Sequence, residues 1–241
     1  MQIKAVKLYD DGEFNEQFIF GGENKEDGRA DVTYPASLQN FLIDMENGEV
    51  ILVDTGFSSE TPFKGYRKVN DYVAGFEALG YKKEQVTKIL VTHKHPDHTG
   101  ELRSFPNAKV YISPEDADAL KLTGDNIIRA TYNDGPYKNF PRSQKIADGV
   151  YFIEAKGHTK GNSIVIAECD GVYYMMHGDV TYNDTALKAN KLSIVFEDVK
   201  AARETLDRVR EFIKNNPTIY LSTHTPEGYN NLEGKIIMKL D

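Results

Sequence analysis

Short runs of β-branched and aromatic residues recur along the chain, many of them bounded by glycine, proline, asparagine or aspartate. Such runs are typical of β-strands. The runs that we interpret as strands are Met1–Tyr9, Gln17–Phe20, Leu38–Asp44, Glu49–Val53, Lys88–Thr92, Ala108–Ile112, Val150–Ile153, Ser163–Ala167, Val172–Met176, Thr218–Leu221 and, as an edge strand, Lys235–Leu240. Turn residues join neighbouring runs at Asp10–Gly12, Glu46–Gly48 and Asp170–Gly171. The Asn-Gly pair at 47–48 predicts a hairpin, because it readily adopts positive φ.

Three segments are predicted to be helical, two from apolar residues at helical spacing and the middle one from the N-cap and acidic first turn at its start. The predicted helices are Asn70–Leu79, Ser113 to about Leu122, and Asp198 to Asn215. Gly80 ends the first helix, and Pro114 occupies the first position of the second. The strands fall into two groups separated by helices, which is compatible with two sheets packed face to face, although the pattern leaves their pairing open. No linker or low-complexity tract divides residues 1–241, so we predict a single domain.

One long stretch, Thr123–Lys145, has no clear periodicity and contains Tyr132, Tyr137 and Phe140. A loop of this length in a compact domain is usually functional. We interpret it as a lid or pocket rim, with a plain surface excursion as the alternative. A second group of aromatic residues, Phe57, Phe63 and Tyr66, is a candidate wall of a substrate pocket.

Composition narrows the classes of function. A net charge of −8 over 241 residues argues against a surface that binds nucleic acid, which needs clustered lysine and arginine. Met1–Asp10 alternates apolar and polar residues and has no hydrophobic region of a signal peptide, and no apolar run reaches the length of a membrane helix. We therefore expect a cytoplasmic protein without membrane partners. The one cysteine, Cys169, is expected to be a free thiol.

Candidate chemistry is concentrated in the segment His93-Lys94-His95-Pro96-Asp97-His98, which follows the strand that ends at Thr92. Nitrogen and carboxylate donors suit zinc and its first-row neighbours rather than calcium or magnesium. We expect Pro96 to oppose a regular helix, so that alternate side chains point at two neighbouring ions. His93 and His95 would face one ion, and Asp97 and His98 the other.

Further ligand types follow other predicted strands. His158, Asp179 and His224 each come shortly after a β-branched or aromatic run, and Asp54 ends the run Glu49–Val53. Open α/β sheets place their binding residues at such strand ends. We therefore expect these side chains to meet the His93–His98 segment.

The His93–His98 segment and these later residues resemble the metallo-β-lactamase superfamily of binuclear metallohydrolases, over a range from Asp54-Thr55-Gly56 to His224. The resemblance implies a four-layer αββα sandwich of the α/β (α+β) class. It implies the following ligands: His93, His95 and His158 for one metal ion, Asp97, His98 and His224 for the other, and Asp179 as a bridge. Asp54 corresponds to a carboxylate that lies behind the ligands and orients one of them.

The chemistry implied by this resemblance is hydrolysis with two divalent ions, zinc or alternatively iron or manganese. The ions would share a hydroxide that attacks an ester or lactone carbonyl, with catalytic roles for Asp97 and Asp179. Related redox diiron proteins usually carry glutamate at the position of His95, so hydrolysis is favoured here. The sequence offers no convincing serine or cysteine nucleophile.

Among these hydrolases, the chain is most similar to N-acyl-homoserine lactonases. Tyr182 lies three residues after Asp179, where those enzymes place a tyrosine over the metals, although Pro96 replaces a residue that is often bulky. A glyoxalase-II-like thioester hydrolase is the alternative, suggested by Gly157–Asn162, and a non-catalytic metal-binding relative is a third hypothesis. The expected partner is a small-molecule ester, lactone or thioester, and the oligomeric state stays open.

His177, in the tripeptide His-Gly-Asp, is the remaining histidine. It lies two residues before Asp179 and, on a strand, would share its face. It is either a hydrogen-bonding partner of that carboxylate or a packed side chain.

Overall fold

A computed structural model of the chain describes residues 1–60 and 63–240. Its strands are β1 (Gln2–Asn15), β2 (Thr33–Asp44), β3 (Val50–Val53), β4 (Arg67–Lys68), β5 (Val86–Leu90), β6 (Lys109–Ile112), β7 (Ile127–Arg129), β8 (Ser143–Ala147), β9 (Val150–Glu154), β10 (Ser163–Cys169), β11 (Val172–Met176) and β12 (Thr218–Leu221). Its α-helices are α1 (Glu16–Phe20), α2 (Tyr72–Ala78), α3 (Pro96–Thr99), α4 (Pro114–Ala119), α5 (Asp184–Ala189), α6 (Val199–Asn215) and α7 (Pro226–Glu233). Single 3₁₀ turns lie at Lys25–Asp27, Lys83–Gln85 and Leu102–Ser104.

The strands form two sheets. The first has the order β4-β1-β2-β3-β5-β6-β7, and the second has the order β12-β11-β10-β9-β8. In the first sheet β3, β5, β6 and β7 are parallel, whereas β1, β2 and β3 are joined antiparallel. The predicted hairpin is confirmed, because β2 and β3 pair in register from Phe41↔Val53 to Asp44↔Val50, and Gly48 in the turn has a φ of 85°.

Side-chain alternation along the strands separates three apolar layers. Phe41 of β2 lies in the core between the sheets together with Val165 of β10. Its neighbour Leu42 points to the other face and packs with Phe76 of α2. On the second sheet, Ile164 points outward into the cluster that contains the apolar face of α6. The layers therefore run helix, sheet, sheet, helix, which confirms the predicted four-layer αββα sandwich.

The N-terminal prediction is partly wrong. Gln17–Phe20 belongs to helix α1, whose first turn is capped by the Asn15 side chain, which accepts a hydrogen bond from the Phe18 N–H at 2.8 Å. No turn interrupts the chain at Asp10–Gly12, because β1 continues through this region with shifts in register. Asp11 absorbs the irregularity with a φ of 57°, as in a β-bulge.

The predicted C-terminal edge strand is also absent from the described residues. Residues 235–240 contribute one backbone hydrogen bond towards the second sheet, from the Met238 N–H to the Thr218 carbonyl at 2.8 Å, and form no ladder. Met238 packs instead into the core between α6 and the second sheet.

The prediction of a lid at Thr123–Lys145 is wrong. Part of this segment forms β7 and the start of β8, and its aromatic side chains point inward. Tyr132 lies in the core between the sheets and shares a hydrogen bond of 2.6 Å with the Ser163 hydroxyl. Tyr137 stacks on Tyr151 with ring centroids 4.0 Å apart. These aromatic residues anchor an irregular segment to the core, and they are too deeply buried to contact a substrate at a pocket rim.

No helix within residues 1–60 and 63–240 has the length and apolar character that crossing a bilayer requires.

Candidate metal centre

Strand ends bring the candidate ligands to one edge of the sandwich. Asp54 follows β3, His93–His98 follow β5, His158 follows β9, Asp179 follows β11 and His224 follows β12. In the second sheet β9, β11 and β12 run in the same direction, so their carboxyl ends share an edge. Parallel strands β3 and β5 do the same in the first sheet.

The His93–His98 segment contains one helical turn, α3, which corrects the expectation that Pro96 opposes a helix here. Pro96 occupies the first helical position, where its missing N–H leaves no hydrogen bond unmade. His95 is the N-cap residue, and its carbonyl accepts a hydrogen bond from the His98 N–H at 3.0 Å. The turn thus separates the first two histidines from Asp97 and His98.

Three imidazoles and one carboxylate form a first group, in which the ligand atoms of His93, His95, His158 and Asp179 all lie within 4.8 Å of one another. The His95 Nδ1 atom lies 3.1 Å from the Nε2 atoms of both His93 and His158. All four side chains are buried or nearly so.

A second group consists of Asp97, His98 and His224, whose ligand atoms also lie within 4.8 Å of one another. The Asp97 Oδ2 atom lies 3.2 Å from His224 Nε2 and 3.5 Å from His98 Nε2. The group has the donor types of a zinc or first-row metal site.

The Asp179 carboxylate lies between the two groups. Its Oδ2 atom is 3.4 Å from His158 Nε2 in the first group and 3.1 Å from His224 Nε2 in the second. Its Oδ1 atom is 3.3 Å from His98 Nε2. A single carboxylate therefore reaches donors of both groups.

Two of the histidines have their tautomers set by partners outside the centre. The Nδ1 atom of His158 lies 3.0 Å from the Val195 carbonyl, which can only accept, so this nitrogen carries the proton. The Nδ1 atom of His98 lies 2.7 Å from Asp54 Oδ2, which likewise accepts. In the His158 ring Nε2 is therefore left with a lone pair that points into the centre. Despite burial, the carboxylates of Asp54, Asp97 and Asp179 raise the pKa of His98 well above its ordinary value, so its Nε2 offers a lone pair once a cation displaces that proton.

Thr92 sets the tautomer of His93 in a similar way. The Thr92 hydroxyl donates to Asp54 Oδ2 at 2.8 Å, and the Thr92 N–H donates to Asp54 Oδ1 at 2.7 Å. Because the hydroxyl has only one proton, it must accept from His93 Nδ1, which lies 3.1 Å away. His93 Nε2 therefore also presents a lone pair. Asp54 acts on His98 directly and on His93 through one intervening hydroxyl.

Burial and charge give the two groups different protonation. Burial lowers the pKa of His158 to about 4 and that of His93 well below its ordinary value, so these two imidazoles of the first group are neutral. In the second group burial acts against protonation, yet Asp179 and Asp97 raise the pKa of His224 to about 9. Those two carboxylates have their own pKa values held well below normal by neighbouring histidines, despite burial. A proton on His224 thus supplies positive charge that a bound cation would replace.

These donors fit divalent cations. Three imidazole rings converge in the first group. The Nε2 atoms of His93 and His158 carry no proton, so each can offer its lone pair to a cation. The buried atoms His98 Nε2 and Asp179 Oδ1 lie 3.3 Å apart, but neither makes a hydrogen bond of regular geometry to any described residue. Buried polar atoms without partners are costly unless an ion or water satisfies them. Neutral imidazole and carboxylate are among the donors that bind zinc in proteins.

Tyr182, predicted to lie over the metals, is also at this centre. Its ring stacks on that of His224, with centroids 5.1 Å apart and an interplanar angle of 27°. Phe14 and Phe18 meet it edge-on at centroid distances of 5.2 and 4.8 Å. Burial and the adjacent Asp179 carboxylate raise the pKa of Tyr182 well above its ordinary value, so the phenol keeps its proton.

Comparison with known families identifies the fold and the motif together. The family model described as the metallo-beta-lactamase superfamily matches residues 39–224, a range that contains all the candidate ligands. The chain belongs to the metallo-β-lactamase superfamily.

Several members of the superfamily are similar along most of their length. An N-acyl homoserine lactonase of Bacillus cereus is 22% identical over 197 residues, which cover 75% of this chain and 78% of that protein. The crystal structure of AiiA of B. thuringiensis with N-decanoyl-L-homoserine superposes with a TM-score of 0.69, at 16% identity, over 96% of this chain and 97% of the other. AidC, a dizinc quorum-quenching lactonase in complex with a product, superposes with a TM-score of 0.67, at 18% identity, over 93% and 91%. The chain is a metal-dependent hydrolase of this superfamily.

The residues of the predicted pocket wall pack on one another. Burial, and then the charge of Asp97, raises the pKa of Tyr66 to about 12. Tyr66 stacks on Phe63 with centroids 4.3 Å apart, and Phe63 in turn packs on Tyr9 and Phe57.

His177 is a packed side chain. It is fully buried and stacks on Tyr220 with ring centroids 3.9 Å apart and an interplanar angle of 8°. Neither ring nitrogen has a hydrogen-bond partner among the described residues, and burial lowers the pKa of His177 to about 3. The hypothesis of a hydrogen bond to Asp179 is therefore wrong.

Sequence reasoning missed three contributors: Thr92, Phe14 and Phe18. Thr92 could have been found, because a hydroxyl next to a ligand histidine can hydrogen-bond its ring. The two phenylalanines carry no comparable signal, because they reach the centre from β1 and α1, far away along the sequence.

Proposed function

We propose that the protein hydrolyses the ring ester of a small lactone that carries an apolar acyl chain. The proposed ligands are His93, His95 and His158 for one zinc ion, Asp97, His98 and His224 for the other, and Asp179 for both. The observation that carries this assignment is the position of Asp179, whose two oxygens reach histidines of both groups at 3.1–3.4 Å. When bound, two such ions supply an activated water and polarise the carbonyl oxygen that it attacks.

The side chains of the chain itself would prepare the reaction. Asp54 keeps the ring protons of His93 and His98 on their Nδ1 atoms, so that both Nε2 atoms remain donors to metal. The Tyr182 phenol stays protonated, and it would donate a hydrogen bond to the carbonyl oxygen as negative charge develops there.

Support for a lactone with an apolar chain comes from the aromatic side chains beside Tyr182. Phe14 and Phe18 stack on one another with centroids 4.9 Å apart, and both remain partly exposed. Phe14 also lies 6.1 Å from the ring of His224. An apolar acyl chain that leaves the reacting carbonyl in this direction would cover these rings and remove them from water. The likeness to N-acyl homoserine lactonases supports the same substrate class.

The test is a hydrolysis screen of zinc-loaded protein against N-acyl-homoserine lactones of increasing acyl length, glutathione thioesters, a phosphodiester and a β-lactam. We expect the highest kcat/KM for lactones, with KM falling as the acyl chain lengthens. Metal-free protein is the control. Preferred turnover of the thioester would replace this proposal by the glyoxalase-II-like alternative. Absence of hydrolysis for every substrate, with two ions bound, would contradict both.

A further inference from the structure

Two loops carry the three histidines of the first group, and they meet at a carboxylate that is not a ligand. Asp116, in the first turn of α4, is 1% exposed. Its Oδ2 atom accepts a hydrogen bond from the Lys94 N–H at 3.0 Å and another from the Thr159 hydroxyl at 2.8 Å. Lys94 lies between His93 and His95 in sequence, and Thr159 follows His158 directly. One oxygen atom therefore joins the two ligand-bearing loops.

Contacts with Ser113 and Gly161 fix the position of Asp116. The Ser113 hydroxyl accepts from the Asp116 N–H at 3.2 Å and caps α4. Gly161 lies so close that a Cβ atom there would be 1.9 Å from Ser113 Oγ and 2.7 Å from Asp116 Cγ. The loop after His158 thus rests directly on the first turn of α4, which only glycine at position 161 allows.

A second carboxylate, on the solvent side, also links the two loops that meet at Asp116. Glu197 Oε1 pairs with the Lys94 ammonium at 2.5 Å, and Glu197 Oε2 accepts from the Lys160 N–H at 2.8 Å. The Lys94 ammonium is also 4.0 Å from Asp116 Oδ1, so it partly balances the buried charge.

Among the ligands of the first group, His95 is the one whose ring position depends most on the contact between these two loops. His93, His98 and His158 each have a ring nitrogen held by a partner outside the centre. Among the described residues, the His95 ring has hydrogen-bonding contacts only with His93 and His158 inside it. Its position therefore depends on the backbone on either side, and the Lys94 N–H that binds Asp116 belongs to that backbone.

We propose that Asp116 is a positioning residue for the first metal ion: by tying Lys94 to Thr159, it sets the distance between His93, His95 and His158. The inference rests on the metal centre proposed above.

The experiment replaces Asp116 by alanine and compares it with Asp118→Ala as a matched control. Asp118 lies on the same helix, but it is exposed and pairs with Arg129 at 2.6 Å. We expect Asp116→Ala to bind one of the two zinc ions about 10–100-fold more weakly, the range for loss of a partner that orients metal ligands. Competition with a chelator measures the two affinities, and cobalt substitution shows whether the spectrum of one site alone changes. Asp118→Ala should match the parent in both.

Two further variants separate positioning from charge and from general stability. Because both hydrogen bonds end on Oδ2, Asp116→Asn can keep them with its single carbonyl oxygen, and we expect it to restore most of the affinity. Thr159→Val removes one of the two bonds with little change of shape and should weaken the same ion by less. Thermal unfolding of the metal-free proteins identifies a merely structural role, which would lower stability without selective loss of one ion.

Parent-like affinities for both ions in folded Asp116→Ala would overturn the inference, and so would equal weakening of both ions. Asparagine as poor as alanine would also overturn it, because the charge rather than the two hydrogen bonds would then matter. If the parent itself binds fewer than two ions, the proposed function fails, and that result is distinct from any difference among the variants.

Discussion

The two halves of the candidate metal centre, which are the first and second groups of ligands, are supported by buried carboxylates in different ways. In the second half, the Asp54 carboxylate contacts the ring of a candidate ligand, His98, at 2.7 Å. In the first half, Asp116 touches no ligand ring and binds the Lys94 N–H and the Thr159 hydroxyl instead. A carboxylate on the ring sets the tautomer and the basicity of the ligand. A carboxylate that binds the loops on which the ligands lie sets only the positions of the rings.

The backbone of His98 is held independently of the Asp54 carboxylate. His98 lies in a short helical turn whose backbone is already bonded to the loop after β3, through the Thr55 N–H and the His98 carbonyl at 2.8 Å. Both groups join ligands from two different sheets, since His158 lies more than sixty positions after His95 and His224 lies more than one hundred positions after His98. In the first group the two ligand-bearing loops share the Asp116 carboxylate, whereas in the second group Asp54 orients a single ring directly.

The largest expected effect comes from the one residue that serves both halves. Asp179→Asn removes the charge that faces histidines of both groups and leaves one carbonyl oxygen where two were available. We expect both ions to bind more weakly and kcat to fall by at least about 10²-fold, because the reacting groups would be misplaced. Elemental analysis and steady-state kinetics measure the two effects. Asp184→Asn, a buried carboxylate outside the centre that binds Asn231 at 3.0 Å, is the control. Near-normal turnover of Asp179→Asn would show that this carboxylate does not bridge.

An intermediate effect is expected for Asp54→Asn. Asp54 accepts from three donors, the Thr92 N–H, the Thr92 hydroxyl and His98 Nδ1, and an asparagine has one accepting oxygen. If its NH₂ group faced His98, the ring proton would move to Nε2 and remove a donor to metal. The left-handed backbone at this position, with a φ of 63°, is one that asparagine tolerates, so the fold should be kept.

We therefore expect Asp54→Asn to weaken metal binding about 10–100-fold, mainly at the second ion. Cobalt titration followed site by site provides the measurement, with Asp44→Asn as a control carboxylate at the end of β2. Loss of the same ion in Asp54→Asn and Asp116→Ala would mean that the two halves are not held separately.

Local patterns in the sequence predicted much of the fold. The β2–β3 hairpin and helix α6 depend on neighbours within a few residues, and both are confirmed. Short or irregular segments of the fold were harder to predict. Helix α1 has only five residues, too few to show a helical period, and its start depends on the cap from Asn15. The aromatic residues of Thr123–Lys145 gave no sign that they point into the core, because an isolated tyrosine looks the same at a pocket rim.

The candidate site divides in the same way. The His93–His98 segment and the strand-end positions of the later candidates are visible in the sequence, and the structure brings them together. The contacts of Asp116 are not visible, because its partners Lys94 and Thr159 lie 22 and 43 positions away. Which buried carboxylate supports which loop depends on how the two sheets meet, and no local pattern contains that information.

The most localised expected effect, on kcat alone and not on metal binding, concerns Tyr182, which lies against the second half through its stack on His224. During attack on a carbonyl carbon, negative charge moves to the oxygen, and a phenol O–H aimed at that oxygen donates a stronger hydrogen bond in the transition state than in the ground state. Burial and Asp179 raise the pKa of Tyr182, so the donor keeps its proton at neutral pH. Removing such a donor typically costs about 10²–10³-fold in kcat. Because a metal ion would share the charge, we expect the lower figure for Tyr182→Phe.

Tyr182→Phe should leave two ions bound and change KM little, because the ring and its stacking on His224 remain. Tyr34→Phe is the matched control, since its hydroxyl bonds Glu16 at 3.1 Å instead of facing the centre. Lactone kinetics under conditions where chemistry limits the rate make the comparison. An unchanged kcat in Tyr182→Phe would remove this phenol from the reaction and reduce its role to packing. Loss of an ion in this variant would instead mean that the hydroxyl supports metal binding in the second half of the centre, and would assign Tyr182 a role in metal binding instead of in the transition state.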